Sequence, residues 1–213
     1  MNIIWGYGAN PHITAQQLRD TYVGIFGDDT YILDVGSKLA ATVISATEVE
    51  IADGILIAQG CTASINYGQT ESLTIQNGTQ GMLRKDLIVA QYMKSTGHGI
   101  ESMSLAVKRG TPASSSPALP AYTTGSIADG DTLAEFPLYV VNLNGINITS
   151  VQRLVDVVSI KGGIDALGNR MTSAEASIAS LTTKTTRTTG PINPATDGVS
   201  VELSETTASR SGD

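Results

Sequence analysis

Residues 31–158 consist of short stretches in which apolar and polar side chains alternate, and this period of two constrains the fold more than any other feature. Met103, Leu105 and Val107 show it most clearly, because aliphatic residues at every second position give a strand one apolar face. Short strands at this spacing predict a mainly β protein, with a β-sandwich or barrel-like domain over residues 1–158. The predicted strands are 31–33, 41–44, 48–51, 55–58, 65–67, 72–75, 86–93, 100–108 and 136–143.

Turn-forming and proline-rich segments separate these strands. Asp53-Gly54 predicts a tight hairpin turn. Residues 87–94 and 100–108 are predicted to pair as a long antiparallel hairpin. Residues 110–120 are rich in proline and serine, so they are predicted to form an irregular surface excursion within the domain.

One short helix is predicted near the N-terminus. Thr14 and Gln17 have the spacing of a capping box, in which each side chain bonds the other residue's backbone N–H. Gly27 is suited to end this helix, and residues 3–7 before it predict a short extended segment. Apolar residues at helical spacing follow the cap at Leu18, Tyr22 and Ile25.

After Val158 the apolar residues follow a strict heptad, which is typical of a helix with one narrow apolar stripe. Isoleucine at the first heptad position permits a trimer better than a dimer, so residues 159–182 are predicted to form a trimeric coiled-coil helix. The alternative is an amphipathic helix that packs on its own domain. The predicted oligomer seam consists of Ile160, Ile164, Leu167, Met171, Ala174, Ile178 and Leu181.

A threonine-rich segment follows the heptad. Threonine favours strands over helices, so the helix is predicted to end near Leu181 and residues 183–213 to form a short extended or β segment. Val199, Val201 and Leu203 alternate as its strand. Such a segment rarely folds alone, and we expect it to pack on a neighbouring subunit or another protein.

Charge and hydropathy limit the partners of the chain. It has 20 acidic and 13 basic residues and a net charge of -7. Nucleic-acid binding needs clustered Lys and Arg, and the basic residues here are scattered, so no nucleic-acid partner is expected. No apolar run is long enough to cross a bilayer, and the first residues lack the features of a signal peptide. We therefore expect the protein to be synthesised in the cytoplasm and not to insert into a membrane.

No catalytic, cofactor-binding or metal-binding residues are predicted, and the protein is not expected to be an enzyme. His12 and His98 are the two histidines, and neither has carboxylates at ligand spacing. Residues 129–131 (DGD) resemble the start of a calcium loop but lack its later oxygen ligands, so a turn is predicted. Cys61 has no neighbouring histidine to activate it and is interpreted as a small core residue.

A series of ordered segments resembles a known family of proteins. In order and spacing they are similar to the N-terminal virion-attachment modules of tail and baseplate proteins, upper-baseplate or tail-fibre-like, from phages and prophages of Gram-positive bacteria. The resemblance covers residues 10–158. The segments are 57–60 (IAQG), 72–78 (SLTIQNG), 84–90 (RKDLIVA), 101–103 (ESM), 120–122 (PAY), 130–131 (GD) and 136–145 (FPLYVVNLNG).

The resemblance implies a structural protein of the virion, commonly trimeric, whose N-terminal domain docks on the phage particle and whose helical stalk projects a distal part. Its implied partners are two further copies of the chain, other tail or baseplate proteins and, indirectly, host surface glycans. The chain ends soon after the predicted stalk, which favours an adaptor over a receptor-binding protein. Two alternatives stay open: a carbohydrate-binding adhesin that uses loops 110–120 and 121–130, and a head fibre attached to the capsid.

Overall fold

The computed structural model, which describes residues 13–187, is mainly β, with two sheets and two helices in that range. The chain divides into a unit at Met1–Ile160 and a second unit at Lys161–Asp213, and each is described by itself. The elements are α1 (Ala15–Phe26), β1 (Thr30–Leu33), β2 (Ala41–Ser45), β3 (Glu48–Ala58), β4 (Cys61–Thr74), β5 (Leu83–Lys94), β6 (Glu101–Lys108), β7 (Leu133–Asn144), β8 (Asn147–Arg153), β9 (Val157–Val158) and α2 (Ile160–Arg187).

Helix α1 begins and ends as the sequence predicts. The Gln17 backbone N–H donates to Thr14 Oγ1 at 3.1 Å, and the Thr14 backbone N–H donates to Gln17 Oε1 at 2.9 Å, so the capping box is present. Gly27 closes the helix with a positive φ of 88°, and its backbone N–H donates to the Val23 carbonyl oxygen at 2.8 Å. The helix lies close to the turn between β3 and β4, because a Cβ on Gly60 would lie 2.4 Å from the Arg19 carbonyl oxygen.

Strand β3 lies inside the first sheet. It pairs antiparallel with β4 along one edge and with β2 and then β1 along the other, and β9 runs parallel to β1. The predicted hairpin turn at Asp53-Gly54 is wrong, because β3 continues through these residues and its register with β4 shifts there. Gly54 instead allows a close approach: its Cβ would lie 2.5 Å from the Leu39 nitrogen, which donates to the Asp53 carbonyl oxygen at 3.0 Å.

The second sheet has the strand order β6-β5-β7-β8, and every pair in it is antiparallel. The predicted long hairpin is confirmed, since β5 and β6 pair from Leu87 opposite Lys108 to Lys94 opposite Glu101. Alternation along β5 therefore divides its side chains between the two faces of the sheet.

One apolar core joins the two sheets. Alternate residues of β5 enter it at Ile88, Ala90 and Tyr92, and this is why the period of two was visible in the sequence. Burial of one such aliphatic side chain contributes about 1.5–3 kcal/mol. The fully buried members include Ile32, Val49, Ile51 and Ile75 from the first half of the chain, and Ile88, Leu138 and Val141 from the second.

The opposite face of the second sheet carries a smaller apolar cluster. Leu87, Val89 and Val140 are buried there, with Ala106 packed against them. The irregular excursion that follows β6 is tied back to the same sheet, because Ala113 exchanges two backbone hydrogen bonds of 2.8 Å with Leu83. The sequence prediction of an irregular segment at residues 110–120 is confirmed.

A buried ion pair joins three backbone segments at the start of β5. Arg84 is 1% exposed and donates from Nε and Nη2 to the two carboxylate oxygens of Asp86, each at 2.8 Å. Its guanidinium also donates to the carbonyl oxygens of Gln76 at 2.5 Å and Asn77 at 3.0 Å. Asp86 accepts in addition from the backbone N–H of Gly110 at 2.9 Å. Both charges are thus compensated, as burial requires.

Gly110 offers a test of this packing. Its Cβ position lies 2.0 Å from the Lys85 carbonyl oxygen, so Gly110→Ala must displace backbone. We expect a loss of about 1–3 kcal/mol in the free energy of unfolding, as in other overpacked sites. Urea unfolding measures it, with Gly97→Ala as the control, because no atom lies within 4 Å of the Cβ position of Gly97. Equal stability of the two variants would contradict the packing described.

The predicted fold class is wrong in its trimeric coiled coil. Residues 160–187 form a single helix, α2, and the only other helix among residues 13–187 is α1, which belongs to the other unit. A long coiled coil is therefore not evident. The physical reason is that a heptad gives one helix an apolar stripe, whereas a coiled coil needs a second helix along that stripe, and the described part of this chain supplies none.

The predicted end of the helix is also wrong. The α2 backbone continues past Leu181 to Arg187, through a run of threonines. Once a helix has formed, each further residue adds a hydrogen bond without a new nucleation cost, and this outweighs the modest helix penalty of threonine. The extended segment expected at residues 3–7 and the strand through Val199, Val201 and Leu203 lie outside the described residues.

Candidate functional site

A stripe of exposed apolar side chains on α2 is the first candidate site; we call it the α2 stripe. It holds the residues of the predicted oligomer seam, and its large members are 50–64% exposed. Apolar side chains of this size usually avoid water, and contiguous exposed patches of them mark interaction surfaces. The members are Ile160, Ile164, Leu167, Met171, Ala174, Ile178 and Leu181.

The rest of α2 is polar and satisfies itself locally. Lys161 and Asp165 form an ion pair at 2.5 Å with i,i+4 spacing. The hydroxyls of Thr172 and Ser173 donate to the carbonyl oxygens of Gly168 and Asn169, at 3.1 and 2.9 Å. Up to Leu181, α2 therefore presents its large apolar side chains on the α2 stripe and small or polar side chains elsewhere.

A cleft in the β unit is the second candidate site. Its volume is about 530 Å³, within the range of small-molecule sites. The walls come from the segment between α1 and β1, β1 itself, the β3–β4 turn, the segment before β7, β7 itself and the segment before β9. We call it the tyrosine cleft, and its polar lining, which includes the two tyrosines, consists of Asp28, Asp29, Thr30, Tyr31, Gln59, Tyr122, Thr124, Glu135 and Asp156.

Hydrogen bonds hold residues 122–125, which belong to the segment between β6 and β7 and form one wall of the tyrosine cleft, in place. Thr123 donates its backbone N–H to Glu135 Oε2 at 2.7 Å, and its carbonyl oxygen accepts from the Glu135 backbone N–H at 2.9 Å. Gln59 donates its side-chain amide to the Gly125 carbonyl oxygen at 2.8 Å and accepts from the Ile127 N–H at 2.7 Å. Tyr122 and Thr124, on either side of Thr123, therefore line the cleft from a fixed backbone.

The Glu135 side chain is fully buried and fully bonded. Besides Thr123, it bonds Lys108 Nζ at 2.7 Å and Gln91 Nε2 at 2.7 Å. Burial raises the pKa of its carboxyl, but the hydrogen bonds from Lys108, Thr123 and Gln91 and the positive charge of Lys108 outweigh that effect. The pKa therefore lies below the usual value, and the carboxylate stays ionised.

This pKa makes the unfolding free energy depend on pH. A carboxyl with a lowered folded-state pKa contributes stability above its unfolded pKa of about 4.3, and the contribution is lost as pH falls through the folded value. We expect the wild type to lose more unfolding free energy between pH 7 and pH 3 than Glu135→Gln does. Urea unfolding at both pH values measures the two losses. Equal losses would show that the Glu135 pKa is not lowered.

Among the described residues considered for chemistry, Cys61, His98 and residues 129–131 line neither candidate site. Residues 129–131 form a turn in which Asp131 Oδ2 accepts from the Ser126 N–H at 2.8 Å. His98 lies in the turn between β5 and β6, while His12 is outside the described range. Burial raises the pKa of the Cys61 thiol, which keeps it protonated. Within residues 13–187 no group of three or more metal-ligating side chains could hold an ion.

The α2 stripe was predicted from the sequence. Of the tyrosine cleft only loop 121–130 was predicted, as part of the surface of a carbohydrate-binding adhesin, and this loop supplies Tyr122 and Thr124. Asp28, Gln59, Tyr122 and Asp156 are far apart in sequence, and strand pairing brings them to one place. The usable sequence signal was Gly60, because glycine marks turns, and Gln59-Gly60 is the actual β3–β4 turn.

Neither described helix combines the length and the apolar character needed to cross a membrane. No protein-family model and no curated protein matches the sequence.

Proposed function

We propose that this protein is a structural component of a phage virion, an adaptor in the tail or baseplate. Its β unit docks on another virion protein, and the α2 stripe associates with further copies of the same chain. The assembly then presents or connects a distal component that adheres to the host. The observation that carries the proposal is the α2 stripe, an exposed heptad of large apolar residues on a helix that follows a β domain.

The energetics of α2 support self-association. Most helical stability in proteins comes from packing of an apolar face, and α2 contains glycines and threonines, which are poor helix formers. Each isoleucine or leucine on the α2 stripe is 50–64% exposed, so its burial contributes about 1–2 kcal/mol, a little over half of the value for a fully exposed side chain. Identical copies carry stripes with the same heptad spacing. The apolar residues of one copy can therefore contact those of another copy along the whole stripe.

The construction of the β unit supports a docking role. Buried groups tie its irregular segments to the sheets: Arg84 and Asp86 hold the segment before β5 and Gly110, and Glu135 holds Thr123. A surface held in this way loses little conformational entropy when it binds a partner. This suits an adaptor, whose surface is required in one conformation.

Light scattering on the full-length protein tests self-association. The chain has a mass of 22.2 kDa, and we expect the purified protein at micromolar concentration to scatter as a whole multiple of that mass. The multiple gives the number of copies. A particle of 22.2 kDa under these conditions would contradict the proposal.

A further inference from the structure

We propose that the tyrosine cleft binds a neutral saccharide. This activity is separate from the proposed assembly role, because every residue that lines the cleft belongs to the β unit and none belongs to the α2 stripe. The inference rests on three observations: the chemistry of the lining, the bonds that fix its walls, and the charge at its edge.

The lining combines the groups that a sugar needs. Saccharides present hydroxyls that both donate and accept hydrogen bonds, together with apolar C–H faces. Asp28 and Asp156 offer carboxylate acceptors, and Thr30 and Thr124 offer hydroxyls that donate or accept. Phe136, Pro137, Leu154 and Val155 add apolar surface, and the two tyrosines supply aromatic surface with a polar tip.

The walls are in place before any ligand arrives. Thr123 is bonded to Glu135 by both its backbone groups, and Gln59 fixes the backbone at Gly125 and Ile127. The position of Tyr122 is therefore set by strand β7 and the β3–β4 turn, although the residue lies in an irregular excursion. A preorganised wall reduces the entropy lost on binding a small polar ligand.

The charge at the edge selects among saccharides. Asp28, Asp29 and Asp156 all border the cleft, and none of them takes part in an ion pair found among residues 13–187. Carboxylates accept hydrogen bonds from neutral hydroxyls but repel anions. A sugar that carries phosphate or carboxylate groups is thus disfavoured.

Binding is tested with the full-length protein on an array of neutral oligosaccharides built from hexoses, deoxyhexoses and N-acetylhexosamines. A hexamer of galacturonic acid is the anionic comparison, and an arginine-containing peptide tests the competing idea of a basic protein segment. We expect at least one neutral oligosaccharide to bind, and the uronic acid hexamer to bind about tenfold more weakly or not at all. Tyr122→Ala and Asp156→Ala are each expected to weaken binding of the neutral ligand about tenfold, which corresponds to about 1.4 kcal/mol.

Tyr67→Ala is the matched control, because Tyr67 is 92% exposed on β4 and does not line the cleft. It is expected to bind as the wild type does, and the thermal midpoints of the three variants check that each is folded. Absence of neutral oligosaccharide binding would overturn the proposal, and so would binding of the arginine peptide alone. Equal effects of Tyr122→Ala and Tyr67→Ala would also overturn it, since the sugar site would then lie elsewhere.

Discussion

Ile164→Asp is expected to convert the self-associated protein into a monomer of 22.2 kDa. Ile164 is the second residue of the α2 stripe and is 64% exposed in the single chain. When copies associate through the stripe, equivalent side chains meet at the same level, so the substitution brings several carboxylates together away from water. Burial of unpaired charges costs several kcal/mol for each ion, which exceeds what one layer of apolar contact returns.

Light scattering at matched concentrations measures the change, and Leu167→Asp is expected to give the same result. Ser173→Asp is the control: Ser173 lies on the same helix but outside the stripe, and its hydroxyl donates to its own helix at the Asn169 carbonyl oxygen. This variant should keep the mass of the wild-type assembly. If Ile164→Asp left the assembly intact, the α2 stripe would not be the surface through which the copies associate.

Arg84→Ala is expected to destabilise the β unit by about 3–5 kcal/mol, the cost of removing one partner from a buried ion pair. The variant leaves the buried Asp86 carboxylate with the Gly110 N–H as its remaining bond, and it leaves the carbonyl oxygens of Gln76 and Asn77 without their donor. Domains of this size are stable by about 5–15 kcal/mol, so the loss is a large fraction of the total.

Urea unfolding gives this difference, with Arg109→Ala as the matched control, because Arg109 is an exposed arginine in the same part of the fold. Its removal should change the unfolding free energy by less than about 0.5 kcal/mol. The double variant Arg84→Ala/Asp86→Ala should cost less than the sum of the single variants, since it removes the uncompensated charge. A loss below 1 kcal/mol for Arg84→Ala would show that the pair is not buried as described.

Much of the β unit could be predicted from the sequence, because its local signals and its long-range pairing agree. The capping box at Thr14 and Gln17 predicted the start of α1, and alternation along residues 87–94 and 100–108 predicted the β5–β6 hairpin. In these segments one apolar face meets one core, so the period of the sequence reports directly on the structure.

Two errors have a common physical cause, which is that local preference was outweighed by neighbouring structure. Asp53-Gly54 has the composition of a turn, but Gly54 lies in a strand where the Leu39 backbone approaches it closely. The threonines after Leu181 prefer strands, but the helix before them propagates through Arg187. The trimeric coiled coil is a third error of another kind, since a heptad describes only one side of a contact.

The candidate sites differ in the same way. The α2 stripe could be found from sequence because its members follow one another at fixed spacing along one helix. The tyrosine cleft could not, because Tyr31, Gln59, Tyr122 and Asp156 come from four segments that only the completed sheets bring together. Proximity of this kind depends on strand order and register, and these follow from the whole core.

Cryo-electron microscopy of the phage particle whose genome encodes this chain tests the central claim most directly. We predict density at the tail or baseplate that fits the two-sheet β unit in more than one copy. Particles that contain no copy of the protein, with no density that fits the β unit, would contradict a role in the virion.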